Sequence, residues 1–548
     1  MYTKGLKTLP LSNNETKTTN KWDWISWGIG LICLLPWLYV QSQAMLNGNV
    51  SWLLIAAERM VHGQSMTASI YETNPPLSIL FYAPHVLFSY LLGLNLATGA
   101  VLLTTILIVL SLFITNEILK NFTFLSRNEH LALLFGGVSS LTIITTIYFL
   151  DREHLMMMAL IPFIFCQYAL TYRIPVKKAI LWPVVIIGSV ALLVKPHYGL
   201  LPAIFFLHRM IVQKKISLWR DADFIALCLG TIGYLAILWF AYQDYIQIIF
   251  PDVLNYYVAG NDKVQTFGLF KPHFSAYIAF FCLEFFMEDL EKPKRRFILF
   301  IYSCALLSLV PLVVQMKGFY NHLLPAFGFF IMGFSLTLVC RTEKYLKNHL
   351  LLIRILTPLL ILGLSTAIIR PAWNYPKGSE IPHMPVAEFL DENCPKPCVF
   401  FAFHGDIETM NPTALYTGYT HGSRFPSFWF IPEILRQLEQ YKEGKKARLS
   451  REQLNAAIDK YAGFVANDFE NYKPSVLLIG TNIDVFGNGT MMNFDDFFSV
   501  NEKFKTVFHK NYTKTGTFEF DRAEYFRGTS LNQHFVLKYD VYKLKTQD

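Results

Sequence analysis

Four short segments of this chain carry residue types that could do chemistry. Glu72-Thr73-Asn74-Pro75-Pro76 sets a carboxylate ahead of two prolines, which stop the backbone from continuing as a regular helix. Asp151-Arg152-Glu153-His154 packs four ionisable groups into one turn between apolar runs. Lys195-Pro196-His197 and the stretch from Gln315 to His322, with Lys317 and His322, each pair a lysine with a histidine. Carboxylates in such places can act as a general base, or bind a metal or an acceptor. Lys-His pairs can bind a phosphate head group. The candidates for proton transfer are therefore Glu72, Asp151 and Glu153. The candidates for holding substrate or phosphate are Asn49, Arg152, His154, Lys195, His197, Lys317 and His322. No cofactor is demanded, and a divalent metal is the one these carboxylates admit.

Plainer readings compete at each position. Asp151 suits a helix cap, but capping accounts poorly for Glu153 and His154. Lys195 suits a cation reaching out from a helix end beside a helix-breaking proline. Trp52, Leu53, Ala56, Ala57 and Met60 make one apolar face of an interfacial helix, which leaves Glu72 unexplained. Met156-Met157-Met158 reads as packing.

The elements that must position these residues are apolar runs near the ~20 residues that cross a bilayer. The chain has 548 residues, 53% hydrophobic and 16% charged. The runs fall near 24–43, 76–94, 97–117, 131–149, 155–171, 178–194, 198–213, 222–241, 273–287, 297–314, 321–340 and 349–369. Net charge is +8, but the basic residues cluster in alternate short loops, so topology explains them better than nucleic-acid binding does. The loops with Lys120/Arg127, Arg173/Lys177/Lys178, Arg209/Lys214/Lys215, Lys294/Arg295/Arg296 and Arg341/Lys344 are placed in the cytoplasm. That works only if the Pro-Pro run at 76–94 lies in the outer interface or re-enters. The expectation is a polytopic α-helical membrane protein with about eleven spanning helices. It has a cytoplasmic tail over 1–23, which is no cleavable signal, and a long first outer loop over 44–75. All four motifs then fall on the outer face. The segment 242–272 is expected to cover them.

From about residue 370 the sequence turns polar and reads as an extracytoplasmic α/β domain over 370–548. Val399–Phe403, Val476–Gly480 and Phe535–Leu544 read as strands. Ile431–Gly444 reads as a helix, and Ser450-Arg451-Glu452-Gln453 opens another with a capping box. Cys394 and Cys398 fit either a disulfide or two free thiols.

The Pro-Pro-terminated first loop, the acidic second outer turn and the polytopic core with its outer domain together resemble the GT-C glycosyltransferases. This superfamily includes the protein O-mannosyltransferases and the aminoarabinose transferases of lipid A. The residues carrying the resemblance are Glu-Thr-Asn-Pro-Pro, Arg-Glu-His, Lys-Pro-His and Lys-Gly-x-Tyr-x-His, over roughly residues 20–370. The resemblance implies transfer of a sugar from a polyprenyl-phosphate donor to a lipid, glycan or protein acceptor at the outer face of a bacterial inner membrane. It also implies a carboxylate in the first outer loop, where this chain has Asn49; Glu72 or the Asp151/Glu153 turn is then expected to take that role, with Glu153 the better match to the second acidic turn. An O-antigen-type ligase or polymerase, a lipid-linked-sugar transporter and a non-catalytic scaffold stand as alternatives.

Overall fold

The computed structural model describes residues 35, 37–215, 218–258, 262–345, 375–405, 407–481, 493–526 and 536–545. The tail over 1–23, most of the 24–43 run and the whole 349–369 run lie outside them.

Five described helices are long and apolar enough to cross a membrane: Leu96–Leu119, Arg152–Tyr172, Ala222–Ala241, Lys292–Gln315 and Tyr320–Tyr345. The chain is an integral membrane protein. Ala222–Ala241 shows why the apolar residues need a non-aqueous surround: Leu229, Ile232, Trp239 and Phe240 all project outward from it. Arg152–Tyr172 is its opposite, buried on nearly every side. It packs against Leu96–Leu119, Lys178–Val194 and Leu200–Gln213, so the helix that begins with the acidic motif is the centre of the bundle.

The Pro-Pro run folds as two short helices, Leu77–Leu80 and Ala83–Leu91. At 1.5 Å per residue, residues 77–91 reach about 22 Å, short of the ~30 Å hydrocarbon core. Tyr82 donates to the Leu150 carbonyl at 2.9 Å and Tyr90 to Glu58 at 2.5 Å. The junction between the two helices and the end of the second therefore both touch segments on the side of the acidic turn.

The first-loop helix, Gly48–Val61, corrects an expectation. It does not lie on an interface by one apolar face. Val50, Ser51, Trp52, Leu53, Leu54, Ala56 and Ala57 are all buried, as is Arg59. The helix is enclosed between the membrane bundle and the C-terminal region. Asn47 caps it by accepting from Val50 N at 2.9 Å.

The C-terminal region builds a five-stranded sheet of β1 (Val399–Phe403), β2 (Thr420–His421), β3 (Val476–Gly480), β4 (Tyr512–Asp521) and β5 (Val536–Leu544). The order is β2-β1-β3-β5-β4, parallel across the first three strands and antiparallel beyond. β1 and β3 are apolar runs buried along their length, as parallel strands covered on both faces must be. Helices Ile431–Lys442 and Arg451–Tyr472 pack beside them, the second opened by the Ser450/Gln453 capping box. Cys394 and Cys398 form a disulfide.

This region is clamped to the first-loop helix. Met45 N donates to Pro376 O at 2.7 Å, Leu46 N to Tyr416 Oη at 2.9 Å and Gly48 N to Glu408 Oε2 at 2.8 Å. Arg59 donates to the carbonyls of Ser423 and His421 at 2.8 and 2.5 Å. Arg424 reaches back to Thr67 O and pairs with Asp468 at 2.8 Å.

Gly48 is where the two backbones meet. A Cβ there would stand 2.1 Å from the Ile407 carbonyl oxygen. Helix propensity alone would make Gly48→Ala stabilising by about 1 kcal/mol. The clash reverses that sign, so G48A is expected to cost about 1–3 kcal/mol net. Thermal unfolding in detergent, followed by size exclusion, should show a lowered midpoint.

Candidate functional site

The site begins with a turn that no regular geometry provides. Leu150 has φ +68 and Thr146 φ +45, both in the left-handed region that costs non-glycine residues roughly 1–3 kcal/mol. His154 holds this turn closed. Its Nδ1 accepts from Leu150 N at 2.8 Å, and its Nε2 lies 2.8 Å from the Leu141 carbonyl. Where sequence reading expected His154 to hold substrate, backbone groups occupy both of its ring nitrogens.

The turn delivers Asp151 to the start of Arg152–Tyr172, where it caps the helix by accepting from Arg152 N at 2.8 Å. Asn49 Nδ2 donates to the same Asp151 oxygen at 3.0 Å. Asn321 Nδ2 lies 3.2 Å from the other and 3.3 Å from Glu153 Oε2. Lys195 Nζ sits 3.0 Å from Glu153 Oε1 as a buried ion pair, with His322 Nε2 at 3.5 Å from that oxygen. Four segments far apart in sequence thus meet at the two carboxylates: the acidic turn that carries them, the Gly48–Val61 helix, Lys195, and the adjacent pair Asn321 and His322. Tyr198 fastens two of them together, donating to the His322 carbonyl at 2.9 Å.

Burial governs the electrostatics. It raises the Asp151 carboxyl above the ordinary carboxylate range, the Glu153 charge raises it further, and Arg152 and Lys195 oppose. Tyr82 and Tyr148 also lie within the field of Asp151. Burial lowers the Lys195 ammonium, against the pull of Glu153. Arg152 is 6% exposed, and its Nε and Nη1 have no hydrogen-bond partner among the described residues. Asn321 Oδ1 and His322 Nδ1 are likewise unpartnered there. Buried polar atoms without partners are costly, and together these offer both donors and acceptors to a polar ligand.

The remaining candidates separate from this core. Glu72 is 4% exposed, and its carboxylate is fully engaged by its own neighbourhood. Oε2 accepts from Trp52 Nε1 at 2.8 Å, and Oε1 accepts from Thr73 Oγ1 and Asn74 N, both at 3.0 Å, and from Asn74 Nδ2 at 2.5 Å. It pins the Pro-Pro loop to the first-loop helix. It does not join the Asp151/Glu153 core. His197 is partly exposed just beyond Lys195, and its partial burial together with the Lys195 charge lowers it. Lys317 donates to the Tyr257 carbonyl and stacks 4.1 Å from that ring's centroid. Burial lowers it to about 8, against Glu433. The segment 242–272, expected as a cover, forms helical turns at Tyr245–Ile249 and Val253–Tyr257. Asp252 ties it down, accepting from Tyr461 Oη at 2.6 Å and Lys460 Nζ at 2.5 Å as well as from Tyr71.

Asn321 is the residue that sequence reasoning passed over. It lies inside the Lys317–His322 motif, yet its amide carries no charge to draw attention. A divalent metal does not fit this core. Among the described residues no three His, Cys, Asp or Glu side chains gather as ligands, and the Lys195 ammonium already holds the place beside Glu153 that a cation would take.

No protein-family model matches the sequence, and no curated protein matches it. In structure the chain is similar to ArnT from Cupriavidus metallidurans bound to undecaprenyl phosphate, with TM-score 0.45 and 10% identity over 84% of this chain and 93% of that one. It is also similar to the arabinofuranosyltransferase AftD from Mycobacteria, with TM-score 0.46 and 13% identity over 96% of this chain and 40% of that one. At such scores and identities the likeness carries no assignment of activity.

Removing Lys195 would leave Glu153 charged and buried. Lys195→Met is expected to destabilise the protein by about 3–5 kcal/mol, and the double variant Lys195→Met/Glu153→Gln by clearly less. Thermal unfolding of the two single variants and the double variant measures the coupling.

Proposed function

We propose that this protein is a GT-C-type membrane glycosyltransferase that moves a sugar from a polyprenyl-phosphate donor to an acceptor at the extracytoplasmic face. The observation that carries this reading is the buried pair Asp151 and Glu153, held by Asn49, Asn321, Lys195 and His322 at one end of the helix bundle. It matches the arrangement implied by the motifs' resemblance to that superfamily. The basic loops lie at the other ends of the same helices, which favours an outer location for the site. A transporter would place its ionisable groups near the helix centres, whereas this cluster lies at helix ends.

Asp151 is the general base. Its raised proton affinity suits a group that must gain a proton near neutral pH. Glu72 keeps a positioning role in the loop, and Glu153 fixes Lys195. The acceptor's hydroxyl or amine attacks the anomeric carbon in line, with inversion. A new bond forms from that carbon to the acceptor oxygen or nitrogen, and the bond to the phosphate oxygen breaks. The leaving oxygen keeps the electron pair, and the acceptor's proton passes to Asp151. The unpartnered Arg152 N–H groups and Lys195 stabilise the departing phosphate. His197, beside Lys195, and Lys317, on the same short segment as Asn321 and His322, are assigned to the approach of the donor phosphate.

Two expectations follow. Asp151→Asn should lower transfer by about 10²–10⁴-fold, whereas Glu72→Gln should act mainly on stability. The readout is mass spectrometry of lipids and glycans from a deletion strain complemented with each variant, following the one sugar that the deletion removes. Full transfer by Asp151→Asn would overturn the assignment. The rate should also pass through a maximum in pH. It rises as Asp151 loses its proton above the usual carboxylate range, and falls through about 8 as Lys317 loses its charge. Lys317→Arg should extend the upper limb, because a guanidinium keeps its proton.

A further inference from the structure

We infer that Glu408, on the C-terminal region, is a positioning residue for the membrane site: it fixes the start of the first-loop helix so that Asn49 meets Asp151. The inference rests on the reading of Asp151 as the reacting base.

The geometry is a short relay. Glu408 Oε2 accepts from Gly48 N at 2.8 Å, and the next residue, Asn49, donates from its side chain to Asp151 at 3.0 Å. Gly48 is the first residue of its helix, so its N–H has no partner within the helix. A carboxylate is the acceptor that such an N-terminus favours most. Tyr375 Oη lies 3.3 Å from the same Glu408 oxygen and holds it in place. The contact tolerates no slack, because the Gly48 and Ile407 backbones touch. Asn49 needs this support. It is only half-buried, and the Asn47 cap holds Val50 N rather than Asn49 itself.

The titratable groups facing Asp151 are Arg152 and Glu153 on its own helix, Lys195 from the neighbouring one, Tyr82 from the Pro-Pro run and Tyr148 from the preceding turn. None of them is on the C-terminal region. Asn49 is the hydrogen-bonded link from that region to Asp151, and Tyr148, which lies in the field of both Asp151 and Glu408, is an electrostatic one. A hydrogen bond donated to a carboxylate favours its ionised form, so loosening Asn49 should raise the pH at which Asp151 titrates.

Infrared difference spectroscopy on the full-length protein in nanodiscs reads this directly. The band of the protonated carboxyl is assigned to Asp151 by its loss in Asp151→Asn. Asn49→Ala is expected to move the titration midpoint up by about one pH unit. Glu408→Asp keeps the charge but draws the carboxylate back from Gly48, and should move the midpoint the same way. Glu408→Gln removes the charge but keeps an acceptor oxygen, and should stay near wild type. A Glu408→Asp midpoint equal to wild type, with Asn49→Ala shifted, would overturn the relay, as would no shift in either variant. Sugar transfer is not needed for this readout. Full transfer by Asp151→Asn would overturn the assignment of Asp151 as the base while leaving the titration result to stand by itself.

Discussion

Two carboxylates two residues apart at the start of one buried helix repel each other, and neither is fully solvated. Asp151 and Glu153 can share that place only if other parts of the chain supply donors and a cation. Lys195 provides the cation; Asn49, Asn321 and the helix's own first amide provide donors. Each must arrive from a different helix end. The bundle's centre, the unusual backbone at Leu150 and the docking of the C-terminal region can all be traced to this requirement.

The cost of the arrangement is also what makes it useful. A buried ion pair gains little net stability over apolar packing, and positive φ at Leu150 and Thr146 adds strain. Arg152 keeps two donor nitrogens unsatisfied among the described residues. A fold shaped only for stability would place none of these together. A site that must hold an anionic leaving group and take up a proton needs all of them, fixed before substrate arrives. The two ion-paired clusters at the far ends of the helices, Arg209 with Asp221 and Asp223 and Arg341 with Glu284 and Asp289, differ. They tie helices together and, among the described residues, leave no comparable set of unpartnered donors.

Much of this was legible in the sequence, because apolar runs and turn chemistry are local signals. Helix Arg152–Tyr172, strands β1 and β3 and the Ser450 capping box fall where their patterns place them. β4 was not legible: its burial does not alternate, and most of its residues are exposed. Charged candidates were easy to find, but their partners were not. His154 reads like Glu153 in sequence, yet it turns back to its own backbone, since only the folded turn creates the Leu150 donor. Glu72 is equally conspicuous and equally committed, through Trp52 and Asn74. Asn321 and Glu408 matter through contacts 168 and 360 residues away, and no local pattern carries such a pairing. Asn49 in place of the expected acid makes sense only beside Asp151, since an amide there can donate where a second carboxylate would repel.

The central claim is that the Asp151 core receives the phosphate of a lipid-linked sugar. Cryo-electron microscopy of the protein in nanodiscs loaded with polyprenyl monophosphate tests it most directly. The account predicts the phosphate within hydrogen-bond distance of Arg152 and Lys195, beside Asp151. A phosphate seated at the basic loops on the opposite side of the membrane, with the Asp151 core unchanged, would contradict it.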